Sequence, residues 1–146
     1  MKTLLTLLFI IPFFVFSQKS VIGKTYNLNG LEIAQFDFSE PMTYDEAVKA
    51  CSKLGDGWRL PTKEEMEEIY ENKNKLGGFI SPVYVSDNGF FMDNNVYYWS
   101  GSSYRSDYVW VIGFTDKFVA ITLKTGYLYT RAVKTSLNDK QLILQK

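Results

Sequence analysis

Histidine is absent from this 146-residue chain. That excludes His-based catalytic triads, His-ligated zinc or haem, and the usual general base near neutral pH. Cysteine occurs once, as Cys51, so neither an intrachain disulfide nor a cysteine-cluster metal site can form. There is no excess charge of either sign. Sixteen Lys and Arg balance sixteen Asp and Glu, which argues against a nucleic-acid binder held by phosphate contacts. No repeat at solenoid or propeller period is present, and no linker is long enough to split the chain. What is present is apolar and aromatic: 46% hydrophobic residues, with three Trp, ten Tyr and eleven Phe. One domain with a real core is expected.

The N-terminus reads as a secretory signal over residues 1–17. Lys2 supplies the positive start, and Leu4 to Phe16 form an apolar run interrupted only by Thr6 and Pro12. Small residues Val15 and Ser17 stand where cleavage would occur. A spanning helix needs roughly twenty apolar residues, more than this run provides, so an uncleaved membrane anchor is disfavoured. No cysteine follows that could be acylated. The expected product is secreted or held at the cell surface, without membrane insertion. Its domain would span residues 18–135, leaving a tail over 136–146 in which Leu142, Ile143 and Leu144 are the apolar positions. An unpaired thiol in an oxidising space points to a shielded Cys51.

Two short strands fit residues 24–38, with Asn29-Gly30 as the turn between them. Thr43-Tyr44-Asp45-Glu46 is a capping box opening a helix. Tyr44, Ala47, Val48, Cys51 and Leu54 then recur at helical spacing, and Gly55 stops it. Leu60 before Pro61 is pushed out of the helical region. Thr62 with Glu65 opens a second helix, whose Met66, Ile69 and Tyr70 line one face and whose glutamates face water. Residues 80–95 read as a long loop. Four β-like runs follow at 97–100, 108–114, 118–123 and 127–133, joined by turns short enough for an antiparallel meander. The fold class is α+β, with two helices, a long loop and a meander.

That order, with the residues at its joints, resembles the C-type-lectin-like fold, in particular the bacterial family of the C-terminal domain of collagen-like adhesins. The resemblance rests on Ala50-Cys51-Ser52-Lys53-Leu54, on Gly57-Trp58-Arg59-Leu60-Pro61-Thr62 with Glu65, and on Tyr98-Trp99-Ser100-Gly101-Ser102. Trp110, Phe114 and Arg131-Ala132-Val133-Lys134 complete it, covering about two-thirds of the chain. It implies a secreted or surface-exposed domain, with adhesion to host glycans in a few members. The Arg59-Leu60-Pro61-Thr62 block is also similar to formylglycine-generating enzymes, whose chemistry implies a late cysteine pair that this chain lacks.

No catalytic residue is assigned. Cys51 lies on an apolar stripe, where a thiol has a raised pKa and little nucleophilicity. Glu64, Glu65, Glu67, Glu68 and Glu71 form a solvated helix face without the apolar wall that paired catalytic carboxylates need. No cofactor is expected apart from one candidate, calcium. Asp87, Asn88, Asp93 and Asn94 lie in an oxygen-rich loop that resembles in position the calcium loop of lectins. The Glu-Pro-Asn and Trp-Asn-Asp signatures are missing there, and Asx turns account for the composition equally well. For ligand contact the aromatics stand out. Alternation puts Tyr108, Trp110, Ile112 and Phe114 on one strand face and Tyr127, Tyr129 and Arg131 on another. Trp99 and Trp110 read as core. Tyr104, Tyr108, Tyr127 and Tyr129 are the candidates for exposed contact, with Arg105 and Asp107 adding polar groups. Arg59 and Arg131 read as loop locks rather than ligand grips.

The expected function is an exported, non-catalytic binding module, with adhesion as its most specific form, that recognises a glycan or a surface protein through the long loop and the aromatic strands. Two alternatives stand beside it. One is a formylglycine-generating-type oxidase relative that has lost its cysteine pair, and the other a structural surface protein with no small ligand.

Overall fold

The computed structural model describes residues 21–80 and 96–136. The proposed signal, the loop residues Asp87, Asn88, Asp93 and Asn94, and the tail from 137 onward lie outside the described residues. The first hairpin forms where its turn predicts. Strands β1 (Tyr26–Leu28) and β2 (Leu31–Ile33) pair antiparallel. The turn between them needs left-handed backbone, supplied by Asn29 at φ 49° and Gly30 at φ 85°.

Helix α1 (Tyr44–Ser52) starts at the first capping box, where the Glu46 carboxylate accepts from the N–H and the hydroxyl of Thr43. Helix α2 (Lys63–Glu71) starts at the second. Thr62 N–H donates to Glu65 at 2.8 Å, and Glu65 N–H donates back to the Thr62 hydroxyl at 3.2 Å. Each cap satisfies amides that the helix itself cannot. A four-residue helix, α3 (Lys73–Leu76), continues after Asn72 and adds to the two helices expected. On α1, Ala47 and Cys51 are buried, whereas Val48 is 43% exposed and lies off the stripe the spacing assigned it. On α2, Met66 and Ile69 are buried, each worth about 1.5–3 kcal/mol.

The late strands divide between two sheets, where the spacing of apolar runs predicts a single meander. Strands β3 (Tyr97–Arg105), β4 (Tyr108–Gly113) and β5 (Val119–Leu123) form one antiparallel sheet in that order. Strand β6 (Val133–Thr135) instead pairs with β2 in the other sheet, setting Ile33 opposite Val133. Between β5 and β6 the expected run over 127–133 is mostly irregular. It touches other segments by single bridges, Leu128 with Met42 and Tyr129 with Tyr98.

Two apolar clusters sit on opposite faces of the β3–β4–β5 sheet. Tyr98, Ile112 and Phe114 join Met66, Ile69, Ile33 and Val133 on the α2 side. Trp99, Val109 and Val111 join Ala47, Cys51, Trp58 and Leu60 on the α1 side. Tyr98 and Trp99 are neighbours in sequence and serve different clusters, as strand alternation requires.

Candidate functional site

Cross-strand register determines which side chains share the α2-side face of this sheet. Tyr108 stands opposite Leu123, Trp110 opposite Ile121, and Ile112 opposite Val119. Helix α2 covers only part of it. Met66 and Ile69 pack over the Ile112 end, and Tyr70 meets Phe114 edge-on at 5.4 Å between ring centres. At the helix N-terminus the cover stops, with Lys63 Nζ placed 5.6 Å from the centre of the Trp110 ring. Beyond that point no described element covers the sheet. Tyr104 is 43% exposed, Tyr108 39%, Ile121 41% and Leu123 46%. Trp110 is half-buried among them, in edge-to-face contact with Tyr104 at 5.3 Å.

A contiguous aromatic and aliphatic surface on rigid strands is unusual for a small domain, which normally scatters its exposed apolar residues singly. Its polar rim is sparse. The Arg105 guanidinium lies 5.2 Å from the Tyr104 ring centre, a cation–π contact that keeps the charge beside the apolar surface. Asp107, in the tight β3–β4 connection, is exposed, and its backbone carbonyl accepts from Lys124 N–H. Tyr104, Arg105, Asp107 and Tyr108 therefore gather at one end of one hairpin. Tyr127 is the most exposed large apolar residue among those described, at 68%, on the turn after β5. Tyr129 faces inward instead, packed against the α2-side cluster with its ring 6.1 Å from that of Tyr98.

Trp110 departs from the core placement expected of it, because the cover of α2 ends at Lys63. Ile121 and Leu123 also belong to the exposed surface, which their residue types do not signal. Large aliphatics on a strand read as core, and only their alternation with Ala120 and Thr122 hints that they share a face.

Two polar locks hold this framework, one partly exposed and one buried. Arg59 grips Glu65 through two hydrogen bonds, NH1 to Oε2 at 2.7 Å and NH2 to Oε1 at 2.8 Å, and also donates to the Leu60 carbonyl. Burial works against the charge of Glu65, but the bonds from Arg59 and from Thr62 N–H outweigh it and hold its carboxyl below the ordinary range. Arg131 is almost fully buried, bonded to Asp37 and to the carbonyls of Ala34 and Gln35, with its guanidinium 3.9 Å from the Phe79 ring centre. Tyr98 OH and Ile80 N–H both donate to the other oxygen of Asp37. Burial pushes the Asp37 carboxyl up, a trend that the Arg131 charge opposes. Both arginines thus do the locking their positions imply.

Cys51 is fully buried on α1, and burial pushes its thiol up to about 12. Among the described residues a hollow of about 230 Å³ is lined by Lys24, Thr25, Tyr26, Ala34, Gln35 and Leu76, none of them an expected contact residue. Among the described residues no group of three or more Cys, Asp or Glu side chains is placed to hold a metal ion. Nor is any helix among them long and apolar enough to cross a membrane.

Botrocetin matches with a TM-score of 0.51 and 15% sequence identity, over 78% of this chain and 98% of its own. EMS16, an antagonist of collagen receptor integrin alpha2beta1, matches with a TM-score of 0.51 and 12% identity, over 77% and 97%. At such identity the likeness is one of fold, and the fold is C-type-lectin-like. A search of curated proteins finds no match. The Lcl C-terminal domain family matches residues 20–134, most of the chain, and this protein belongs to that family.

Proposed function

We propose that the protein is an exported, non-catalytic binding module that engages a surface protein through the uncovered half of the β3–β4–β5 sheet. One observation carries the reading: Tyr104, Tyr108, Trp110, Ile121 and Leu123 form a single exposed face on rigid strands. Tyr and Trp offer large contact area at little entropic cost, the composition that binding hot spots favour. Ile121 and Leu123 favour a protein partner over a glycan. Aliphatic side chains neither stack on a sugar ring nor hydrogen-bond its hydroxyls, whereas they fit the desolvated centre of a protein interface. EMS16 gives a precedent for this fold acting as an antagonist of a receptor protein.

A glycan reading stands second, favoured by the polar and aromatic cluster of Tyr104, Arg105, Asp107 and Tyr108 at the hairpin end. Calcium held by Asp87, Asn88, Asp93 and Asn94 would belong to that reading. Neither reading assigns a catalytic step, in keeping with the burial of Cys51.

The test is to screen the chain, recovered after secretion, on arrays of purified surface proteins and of glycans, each with calcium and with chelator. Mass spectrometry of the same sample shows whether it begins at Gln18. A protein hit weakened tenfold or more by Tyr108→Ala and by Leu123→Ser is expected. A hit indifferent to both substitutions, or blanks on both arrays, overturns the reading. Loss with chelator moves the choice to the calcium-dependent glycan.

A further inference from the structure

Asparagine followed by glycine occurs twice in the chain, at Asn29-Gly30 and Asn88-Gly89. Such a pair is chemically labile, because glycine has no Cβ to hinder the attack of its nitrogen on the side chain before it. Asn29 lies at the exposed tip of the β1–β2 hairpin, with a φ of 49° that asparagine and aspartate both tolerate. Three hydrogen bonds hold this tip. The Asn29 amide, through Nδ2, donates at 2.5 Å to Oε1 of Glu68 on α2, 39 positions away. Gly30 N–H donates to Asn27 Oδ1 at 3.2 Å, and the Gly30 carbonyl accepts from Ser136 N–H at 2.7 Å. The two groups that would react with each other are therefore both engaged elsewhere. The bond to Glu68 is exposed, and exposed contacts of this kind open more readily than the core.

We infer that Asn29 is a site of spontaneous conversion to aspartate and isoaspartate, and that Glu68 sets its rate. When the Asn29–Glu68 bond opens, Gly30 N attacks Asn29 Cγ. The Cγ–Nδ2 bond breaks, and ammonia leaves with the proton that Gly30 N gives up. Water then opens the resulting five-membered imide at either carbonyl, leaving an aspartyl or an isoaspartyl link. No electrons are gained or lost, and water is the only co-reactant. In the first product the turn survives, but a carboxylate acceptor replaces the donor that faced Glu68. Like charges then oppose each other where the hairpin met α2. In the second product the backbone runs through the former side chain, one atom longer, between Leu28 and Leu31, which pair across the turn. The bond from Ser136 to Gly30 carries that change to the residue after β6. Loss of ammonia makes the conversion one-way, so the hairpin loosens as the protein ages. The inference goes beyond the binding reading and does not depend on it.

Peptide mapping by mass spectrometry, over a time course in mildly alkaline buffer, tests it. Asn29-Gly30 is scored apart from Asn88-Gly89. The folded chain is expected to convert at Asn29 about ten to a hundred times more slowly than a synthetic peptide spanning residues 24–35. Glu68→Ala is expected to speed conversion at least threefold. Glu68→Gln keeps an acceptor for the amide and is expected to stay within twofold of wild type. Glu64→Ala, one turn earlier on α2, is the control that leaves the rate unchanged. All three variants are expected to share the wild-type circular dichroism, which separates loss of the bond from loss of the fold. A folded chain that converts as fast as the peptide, or not at all, overturns the inference. So does Glu68→Ala at the wild-type rate, or Glu68→Gln as fast as Glu68→Ala. Melting temperatures test the consequence. Asn29→Asp is expected to melt below wild type, and adding Glu68→Gln returns a donor opposite the carboxylate and recovers the midpoint. Asn29→Asp as stable as wild type would overturn the loosening of the hairpin.

Discussion

Arg131 and Asp37 lie 94 positions apart in sequence and meet in the core, Nε to Oδ1 at 2.5 Å. Both side chains are only 1% exposed. Around them converge the β2–α1 connection, the segment after α3, Tyr98 of β3, and the stretch leading into β6. Removing one partner strands a desolvated charge, which costs about 3–5 kcal/mol. Asp37→Ala and Arg131→Ala are each expected to lose that much in urea denaturation. Replacing both by apolar residues of similar volume should cost less than the two single losses combined, because the double change buries no unpaired charge. Full additivity in that cycle would show that the two residues act independently.

Gly78 holds the chain beside the same lock. Its φ is +68°, and an added Cβ would lie 2.3 Å from the Gln35 carbonyl oxygen. Neighbouring Gly77 has φ +64° but open space where its Cβ would go. Positive φ in a non-glycine residue costs about 1–3 kcal/mol. Gly77→Ala should incur that strain alone, and Gly78→Ala the strain and the backbone collision together. Denaturation midpoints are expected in the order wild type, Gly77→Ala, Gly78→Ala. Equal losses at the two positions would contradict the contact with Gln35.

The parts of this fold that were legible in the sequence are those fixed within a few residues. Asn29-Gly30, the two capping boxes and the break at Leu60-Pro61 act locally, so the first hairpin and both longer helices follow from them. Strand β6 was not legible. Its pairing with β2 joins residues about a hundred positions apart, and neither strand is longer than three residues. Helix periodicity could not distinguish Val48 from Leu54, because the half of α1 that is covered depends on where Trp99 and Trp58 pack. At the candidate site, Tyr104, Arg105, Asp107 and Tyr108 could be picked out as amphipathic residues beside a tight turn. Trp110, Ile121 and Leu123 could not, since their exposure depends on α2 beginning at Lys63 and no further back.

The Arg59–Glu65 pair gives stability a dependence on pH. A carboxyl held below the ordinary range binds fewer protons folded than unfolded. Its contribution is therefore complete above the unfolded pKa and is lost as pH falls through the folded one. Glu46, held low by the hydroxyl and N–H of Thr43, acts in the same sense. Asp37, pushed up by burial, acts in the opposite sense, holding its proton more readily in the fold. Between about pH 5 and pH 3 the wild type is expected to lose stability more steeply than Glu65→Gln. At pH 7 the substitution should cost about 1 kcal/mol, since the pair is partly exposed. Parallel pH profiles for the two proteins would remove Glu65 from this account.

Cys51 provides the sharpest separation between a binding module and a thiol enzyme. With its pKa at about 12, the thiolate fraction at pH 8 is about 10⁻⁴, against about a quarter for an unperturbed thiol. The side chain is also sealed between α1 and the sheet, beside Ala47 and Trp99. Iodoacetamide should therefore leave the native protein unmodified while labelling a free-cysteine peptide in the same tube. Adding urea should raise the labelling rate in step with the fraction unfolded, because only opening of the α1-side core exposes the sulfur. Labelling of the folded protein as fast as the peptide would place the thiol at the surface and reopen the enzymatic alternative.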